Sequence, residues 1–451
     1  MPSKRKKNDD STVIETLGPG KLDSPLTVYY RGDGEPDCAG VFVSDSCRIL
    51  IDTDLHSYHN SLKKKKDPLS FEQAGPRRKI YFEPSKVKAA ILTAGGLCPG
   101  LNDVIRSLVL TLHYLYGVRN IFGIRHGYQG LCPAFGHELV DLTPESVANI
   151  HEFGGSILSS SRGLYPIEEI VDSLERLNIS ILFTIGGDGT LRGGHLIAEE
   201  VKRRGLKISV VGIPKTIDND INMVAKSFGF DTAVQTAAQA IRSAHTESLG
   251  APNGIGLVKL MGRESGFIAA NAALAQGEAN YVLVPESDFD LEGEGGLLME
   301  LEERLKRRKH AVIVVAEGAG QKLFADAPEA FDPSGNRRLG DIGRFLAGRI
   351  NDYFHEKKIE VNLKYFNPSY LIRSQPANAG DRIYCMFLGQ KAVHAALAGK
   401  TNMLVSIWNN VYVHVPIKPA VASRKKINLN GALWRSVLEA TGQPPLISRD
   451  V

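Results

Sequence analysis

Ile181-Leu-Phe-Thr-Ile-Gly-Gly-Asp-Gly-Thr190 decides the fold, with Pro214-Lys-Thr-Ile-Asp-Asn-Asp220 a short distance on. An apolar run that breaks abruptly into glycines reads as a buried strand of a parallel sheet. The glycines let the backbone turn sharply and approach an anion, because no Cβ stands in the way. Asp188, set among them, is a candidate ligand for a hard cation such as Mg²⁺, which takes oxygen ligands. Ile208-Ser-Val-Val-Gly-Ile-Pro214 is a second apolar strand. It too ends in a polar loop, this one carrying Asp218 and Asp220. Ligands of open α/β sheets bind beyond the carboxyl ends of strands, so these two loops are the first place to look for chemistry.

Outward from this centre, strands and helices alternate. Residues 87–93 form a strand, 94–102 a glycine-rich turn and 103–112 a helix with apolar residues at helical spacing. Such a turn either cradles a phosphate at the helix start or simply connects two elements. Residues 120–125 are a strand. Residues 154–163 are a Gly/Ser loop with one cation, Arg162, ahead of a helix over 167–177. Beyond the central strands come a helix over 232–246, a strand over 254–260 ending in Met261-Gly-Arg-Glu-Ser-Gly266, an alanine-rich helix over 267–275, a strand over 281–284, a charged helix over 297–309 and a strand over 310–316 ending at Glu317-Gly318. This alternation is the pattern of α/β proteins with doubly wound sheets. Residues 341–354 and 381–398 read as helices, 362–374 as an extended segment, and 402–417 as strands.

Residues 1–85 read as an N-terminal extension, the first 22 or so polar and disordered, with strand-like pieces at 40–43 and 48–51. The basic runs Lys4-Arg-Lys-Lys7 and Lys63-Lys-Lys-Lys66 are ordinary solvated charge, the second in a loop. Residues from 418 on are a mixed tail. The 451 residues carry a net charge of +4, too small to argue for nucleic acid, and the 43% apolar and 23% charged fractions suit a soluble globular protein. No apolar run reaches the roughly 20 residues that span a bilayer. The N-terminus lacks the apolar core of a secretory signal, and the C-terminus is not a peroxisomal tripeptide. The five cysteines (Cys38, Cys47, Cys98, Cys132 and Cys385) lack zinc spacing and are expected as free thiols.

Several strands thus end in glycine, acid or arginine: Gly96, Asp188, Asp218, Arg263 and Glu317. Phosphoryl transfer needs positioning, a metal and a group that takes the proton from the attacking hydroxyl. Asp188 suits the metal and Asp218 the base. Asp220, two residues on, shares a face with Asp218 or braces the loop. Alone, Ile-Asp-Asn-Asp would favour a plain Asx turn; beside Gly-Gly-Asp-Gly-Thr the balance reverses.

Gly95-Gly-Leu-Cys-Pro-Gly-Leu-Asn102, Gly186-Gly-Asp-Gly-Thr190, Pro214-Lys-Thr-Ile-Asp-Asn-Asp220, Met261-Gly-Arg-Glu-Ser-Gly266 and Ala316-Glu-Gly318 together resemble the phosphofructokinase A family, in order and spacing, over about 87–417. The extension, Gly75-Pro-Arg-Arg-Lys-Ile-Tyr-Phe-Glu-Pro84 and the ending near Leu433-Trp-Arg435 resemble the subgroup with plant and trypanosomatid enzymes. The resemblance implies two doubly wound Rossmann-like lobes with an N-terminal extension (1–85) and a C-terminal tail (421–451). It implies a nucleotide and Mg²⁺ lobe at 86–230, completed by 395–420, and a sugar-phosphate lobe at 231–394. It implies a phosphotransferase that moves the ATP γ-phosphoryl to the 1-hydroxyl of fructose 6-phosphate, in a cytoplasmic, allosteric homotetramer without nucleic-acid or membrane partners.

By the same resemblance, Asp218, Arg162 and Thr216 are catalytic and Asp188 holds Mg²⁺. Gly96, Arg162, Gly163, Gly187, Asp188, Gly189 and Thr190 bind the donor. Thr216, Ile217, Asp218, Met261, Gly262, Arg263, Glu317, Lys364, Tyr370 and Arg373 bind the sugar phosphate. Lys364 and Tyr370 depart from the Arg and His usual there, and Gly254 stands where a second cross-subunit Arg is usual. Gly189 and Lys215 bear on the donor: pyrophosphate users carry Asp and Lys at these positions, ATP users commonly Gly at both, and this chain has one of each. Gly189 leaves room for a nucleotide, so ATP is expected, with pyrophosphate the alternative. A lipid- or NAD-kinase-like protein would explain only Gly-Gly-Asp-Gly-Thr. A non-catalytic sugar-phosphate-binding subunit would be expected to have lost Asp188 or Asp218.

Overall fold

An apolar run without a polar face must be covered on both sides. In the computed structural model every residue of Ile181–Gly186 and of Ser209–Pro214 is buried. The structure describes residues 10–28, 41–64, 66–163, 165–325, 331 and 338–444. The chain forms two compact units: residues 1–216, 221–228 and 376–423 in the first, and 217–220, 229–375 and 424–451 in the second.

Among the described residues the first unit carries a nine-stranded mixed sheet. Its centre is parallel, in the order Met403–Trp408, Ser209–Pro214, Ile181–Gly186, Lys88–Thr93, Asn120–Ile124. Antiparallel strands extend it: Val411–Pro416, Ser70–Gln73 and Arg48–Leu50 at one edge, Val140–Asp141 at the other. Register sets Thr93 opposite Ile185 and Gly186 opposite Pro214, so three neighbouring strands run out at one level. Ala90, Leu92, Leu182 and Val210 pack with Ile170, Val171 and Leu174 of the Ile167–Arg176 helix and with Ile197 and Val201 of the Asp188–Arg203 helix. Each buried leucine, isoleucine or valine among them stabilises by about 1.5–3 kcal/mol. Helices Leu101–Leu110 and Ala379–Leu397 pack on each other, the latter also against Ser209–Pro214.

The second unit holds a four-stranded, all-parallel sheet in the order Tyr281–Leu283, His310–Ala316, Gly254–Leu260, Asn362–Phe366. Among the described residues its α-helices are Phe230–Leu249, Phe267–Gln276, Leu297–Arg308, Ile342–Glu356 and Ala432–Thr441. Ile255, Leu257, Ile313 and Val315 form one core with Leu298, Leu301, Leu346 and Ile350. Both units are thus α/β, with strands and helices in the alternation read from the sequence.

Several expectations about the ends are corrected. Residues 10–22 are placed rather than disordered. Ile14 is 7% exposed, Glu15–Thr16 pairs with Lys400–Thr401, and Glu15 accepts from Lys202 Nζ at 2.8 Å and Asn402 Nδ2 at 2.7 Å. Polar composition hid this anchoring, because its partners lie hundreds of residues away. Residues 1–9 lie outside the described part. Arg48–Leu50 is a strand as expected, but Val41, Phe42 and Val43 are bends and coil, and Gly40 is not described. Lys63 ends a helix, Leu55–Lys63, rather than lying in a loop, where its charge suits the helix carboxyl end; Lys65 lies outside the description. The segment read as extended to 374 leaves its strand after Phe366 and turns. The tail contains a helix, Ala432–Thr441. Cys98, Cys132 and Cys385 are buried free thiols, whereas Cys47 is in a disulfide, against the expectation. Pairing depends on proximity in the fold, which spacing along the chain does not carry. Cys38 is not among the described residues.

A buried ion cluster ties the extension to the sheet. Glu72 lies 2.7 Å from Arg77, 3.1 Å from Lys400 and 2.9 Å from His414 Nδ1, and Asp45 bridges Arg77 and Lys400 at 2.7 and 2.9 Å.

Candidate active site

The turn after Lys88–Thr93 depends on glycine. Gly95 and Gly100 have φ of +86° and +99°, a region that favours residues without a side chain. A Cβ at Gly100 would lie 2.7 Å from Cys385 Sγ and 3.0 Å from the Phe228 ring, so glycine is what lets the Leu101–Leu110 helix start there. The Ala94 N–H donates to Ile185 O and the Gly95 N–H to Ser161 O, both at 3.0 Å, and Ser160 Oγ donates to Gly95 O. Those bonds place the loop with exposed Arg162 and Gly163 beside the Gly95-Gly96 turn.

Next along the same edge, Ile181–Gly186 breaks into Gly187, the N-cap of the Asp188–Arg203 helix. The helix start offers first-turn amides and the positive dipole end, a setting for phosphate. A Cβ at Gly186 would lie 2.2 Å from Thr190 Oγ1, so that position is closed. Gly189 is the opposite: a Cβ there would meet no heavy atom within 4 Å. Asp188 pairs with Arg192 at 3.3 Å, and Arg192 donates to Val421 O at 2.8 Å. Lys215, 5% exposed, donates from Nζ to Gly96 O at 2.6 Å and from its N–H to Gly186 O at 2.9 Å. It therefore belongs to the same cradle. Thr216 closes the strand end, its carbonyl accepting from Ser227 Oγ at 2.6 Å. No group of three or more His, Cys, Asp or Glu among the described residues is arranged to hold a metal. One carboxylate beside a phosphate cradle suits Mg²⁺, which takes further oxygens from phosphates and water.

In the second unit the short segment 217–220 turns at Asn219, which has φ +54°. Ile217 is buried, and the Asp218 carbonyl accepts from Ser265 Oγ at 3.2 Å. The Met261-Gly262-Arg263 turn is laced to Glu317-Gly318: the Glu317 N–H donates to Leu260 O at 2.9 Å and the Gly318 N–H to Gly262 O at 3.0 Å. Gly262 has φ +129°, and a Cβ at Gly318 would lie 1.9 Å from Arg263 O. Burial pushes the Glu317 carboxyl above its ordinary range, while Lys259, Arg263 and Arg373 pull against that rise. Those three cations therefore gather around one acid. The Arg373 guanidinium lies 4.8 Å over the Tyr370 ring. Tyr370, 70% exposed, adjoins the cluster through Arg373, and Lys364 is an exposed position on Asn362–Phe366 opposite Gly256.

Lys259 was missed in the sequence. Its Nζ lies 3.0 Å from Asp341 Oδ1 and its side chain is mostly buried. The available signal was a single charge in an otherwise apolar strand, which a core tolerates only with a partner.

Residues 88–396 match the phosphofructokinase family. An ATP-dependent 6-phosphofructokinase of Borreliella burgdorferi is 53% identical over 438 residues, 96% of each chain. ATP-dependent 6-phosphofructokinase 7 of Arabidopsis thaliana is 48% identical over 379 residues, 84% of this chain and 78% of the plant protein. The fold is similar to a pyrophosphate-dependent phosphofructokinase from Marinobacter aquaeolei, with TM-score 0.63, 20% identity and coverage of 81% of this chain and 93% of that one. With the glycine turns, the Asp188 helix start and the laced Met-Gly-Arg turn all present, the chain belongs to the phosphofructokinase family.

Proposed function

We propose that the protein is an ATP-dependent 6-phosphofructokinase, transferring the γ-phosphoryl of ATP to the 1-hydroxyl of fructose 6-phosphate to give fructose 1,6-bisphosphate and ADP. The observation that carries the choice of donor is the open space at Gly189, at the start of the Asp188–Arg203 helix. A nucleotide has more bulk past its β-phosphate than pyrophosphate has, and a large or charged side chain at this position, unlike a single methyl, would stand in its way. The 53% identity to an ATP-dependent relative supports the same choice. Lys215 is the feature that favours pyrophosphate; its bond to Gly96 O gives it a role in shaping the cradle that requires no particular donor.

In this reading Gly96, Arg162, Gly163, Gly187, Gly189 and Thr190 hold the donor phosphates, and Asp188 holds Mg²⁺. Bound there, Mg²⁺ would neutralise charge on the phosphates. Arg162 offsets charge on the transferring group. Asp218 takes the proton of the attacking hydroxyl, with Thr216 and Ile217 beside it in the chain. Met261, Gly262, Arg263, Glu317 and Arg373 hold the sugar phosphate, a guanidinium being suited to its 6-phosphate; Lys364 and Tyr370 are exposed positions of the same set. The nucleotide and sugar-phosphate lobes, expected at 86–230 with 395–420 and at 231–394, are taken as the first and second units, whose bounds differ chiefly in that 217–220 belongs to the second and 376–394 to the first. The same reading takes the protein as a cytoplasmic, allosteric homotetramer; no helix among the described residues is long and apolar enough to cross a membrane.

D218S tests the assignment. Loss of a general base costs about 10² to 10⁴ in rate. Turnover should fall by that amount while fructose 6-phosphate still binds, measured by calorimetry. Unchanged turnover would overturn the assignment of the base.

A further inference from the structure

The chain from Arg424 on lies beyond the 88–396 match, and the reading above gives it no part in the reaction. In the second unit it runs against the segment that carries Asp218. The Lys425 N–H donates to Asp220 O at 2.8 Å. The Arg424 guanidinium pairs with the Asp220 carboxylate, whose side chain is 6% exposed. Lys425 Nζ donates to Asn219 Oδ1 at 3.0 Å and lies 5.2 Å over the Phe267 ring. Two residues on, the Ile427 N–H donates to Glu286 Oε1 at 2.9 Å, and the same carboxylate takes the Gly266 N–H at 3.1 Å. Gly266 closes the Met-Gly-Arg turn and opens the Phe267–Gln276 helix. Ser265 Oγ completes the ring on the Asp218 carbonyl.

We propose that residues 424–427 are a positioning brace for phosphoryl transfer, with Lys425 holding Asn219, and through it Asp218, in register with the turn that grips the sugar phosphate. This rests on the phosphofructokinase reading and adds residues to it. Asn219 is in the left-handed region, a conformation a residue keeps only when its surroundings hold it there. The lysine supplies that hold from one side and the serine from the other. Burial pulls the Lys425 ammonium down to about 8, with Asp220 opposing, so the charge is kept there against a desolvation cost. A plain hydrophobic stem over Phe267 would anchor the tail without that cost; the ammonium adds a donor aimed at Asn219.

K425M in the full chain tests this, because methionine keeps the packing over Phe267 and removes the donor. A misplacement on the order of 1 Å at the reacting groups costs about 10²-fold. The brace predicts a kcat fall of about 10- to 100-fold, KM for ATP essentially unchanged, a small change in melting temperature, and partial recovery of kcat in K425R. In the double mutant K425M/N219A the losses should be strongly non-additive, since both act through one contact. A folded K425M with wild-type kcat, or additive losses, would overturn the proposal. If K425M does not fold, N219A carries the test alone: a matching fall in kcat supports the brace and an unchanged kcat overturns it. The wild-type chain is assayed alongside. If it turns over neither donor, the phosphofructokinase reading fails; if it is active and the variants match it, only the brace fails.

Discussion

Gly189 is the position where one side chain decides most. It opens a helix turn, and a Cβ there would touch nothing. G189A should therefore fold and turn over ATP much as the parent does, with alanine in the helix gaining about 0.5–1 kcal/mol. G189D adds bulk and a negative charge where the proposed donor site would take the nucleotide. It should lower kcat/KM for ATP by about 10²-fold or more, about 3 kcal/mol of transition-state binding, read in a coupled assay. An unchanged value would mean that this space is not used by the nucleotide. The strand ends that carry Asp188, Gly189 and Asp218 were legible in the sequence because acids and glycines cluster where apolar strands stop. Lys259 and Lys425 were not. Their meaning comes from Asp341 and Asn219, partners more than eighty residues distant, and no local pattern carries such pairings.

Among the elements, the central strands were legible for a simple reason. A run buried on both faces has no polar residues to break it, and its end is marked by glycine and acid. The turns between them owe their shape to close backbone approaches that composition does not express. Gly318 is the sharpest case, its missing Cβ replaced by the Arg263 carbonyl 1.9 Å away. No side-chain rotation relieves that contact, because the neighbour is backbone. G318A should shift the Met261-Gly262-Arg263 turn, cost about 1–3 kcal/mol, and raise KM for fructose 6-phosphate several-fold while KM for ATP stays near its parent value. Paired measurements of melting temperature and both KM values check this; equal effects on the two substrates would contradict it. The helix Ala432–Thr441 and the placed residues 10–22 escaped the sequence reading because short, polar or mixed segments gain their structure from what they pack on.

For the molecule as a whole, the extension is bound into the first unit by charge as well as by strand pairing. Burial alone would push the Glu72 carboxyl up, but His414, Lys400 and Arg77 outweigh it and hold it down at about 2, from an ordinary 4.5. A carboxyl depressed in the folded state stabilises fully above its unfolded value and loses that contribution as pH falls through the folded one. The window is therefore about pH 4.5 down to 2, and the contribution is about 3 kcal/mol. E72Q should melt lower than the parent at pH 7, since Arg77 and Lys400 lose their buried partner. Its stability should also fall less steeply across that window. Parallel curves for parent and variant between pH 5 and 2 would contradict the assignment. The phosphoryl transfer itself is tested most directly by a coupled assay of the purified protein with fructose 6-phosphate and Mg²⁺, ATP against pyrophosphate. Turnover with ATP alone is the predicted result. Turnover with pyrophosphate in place of ATP would show that Lys215 outweighs Gly189 and that the donor is wrong, and turnover with neither would contradict the enzyme itself.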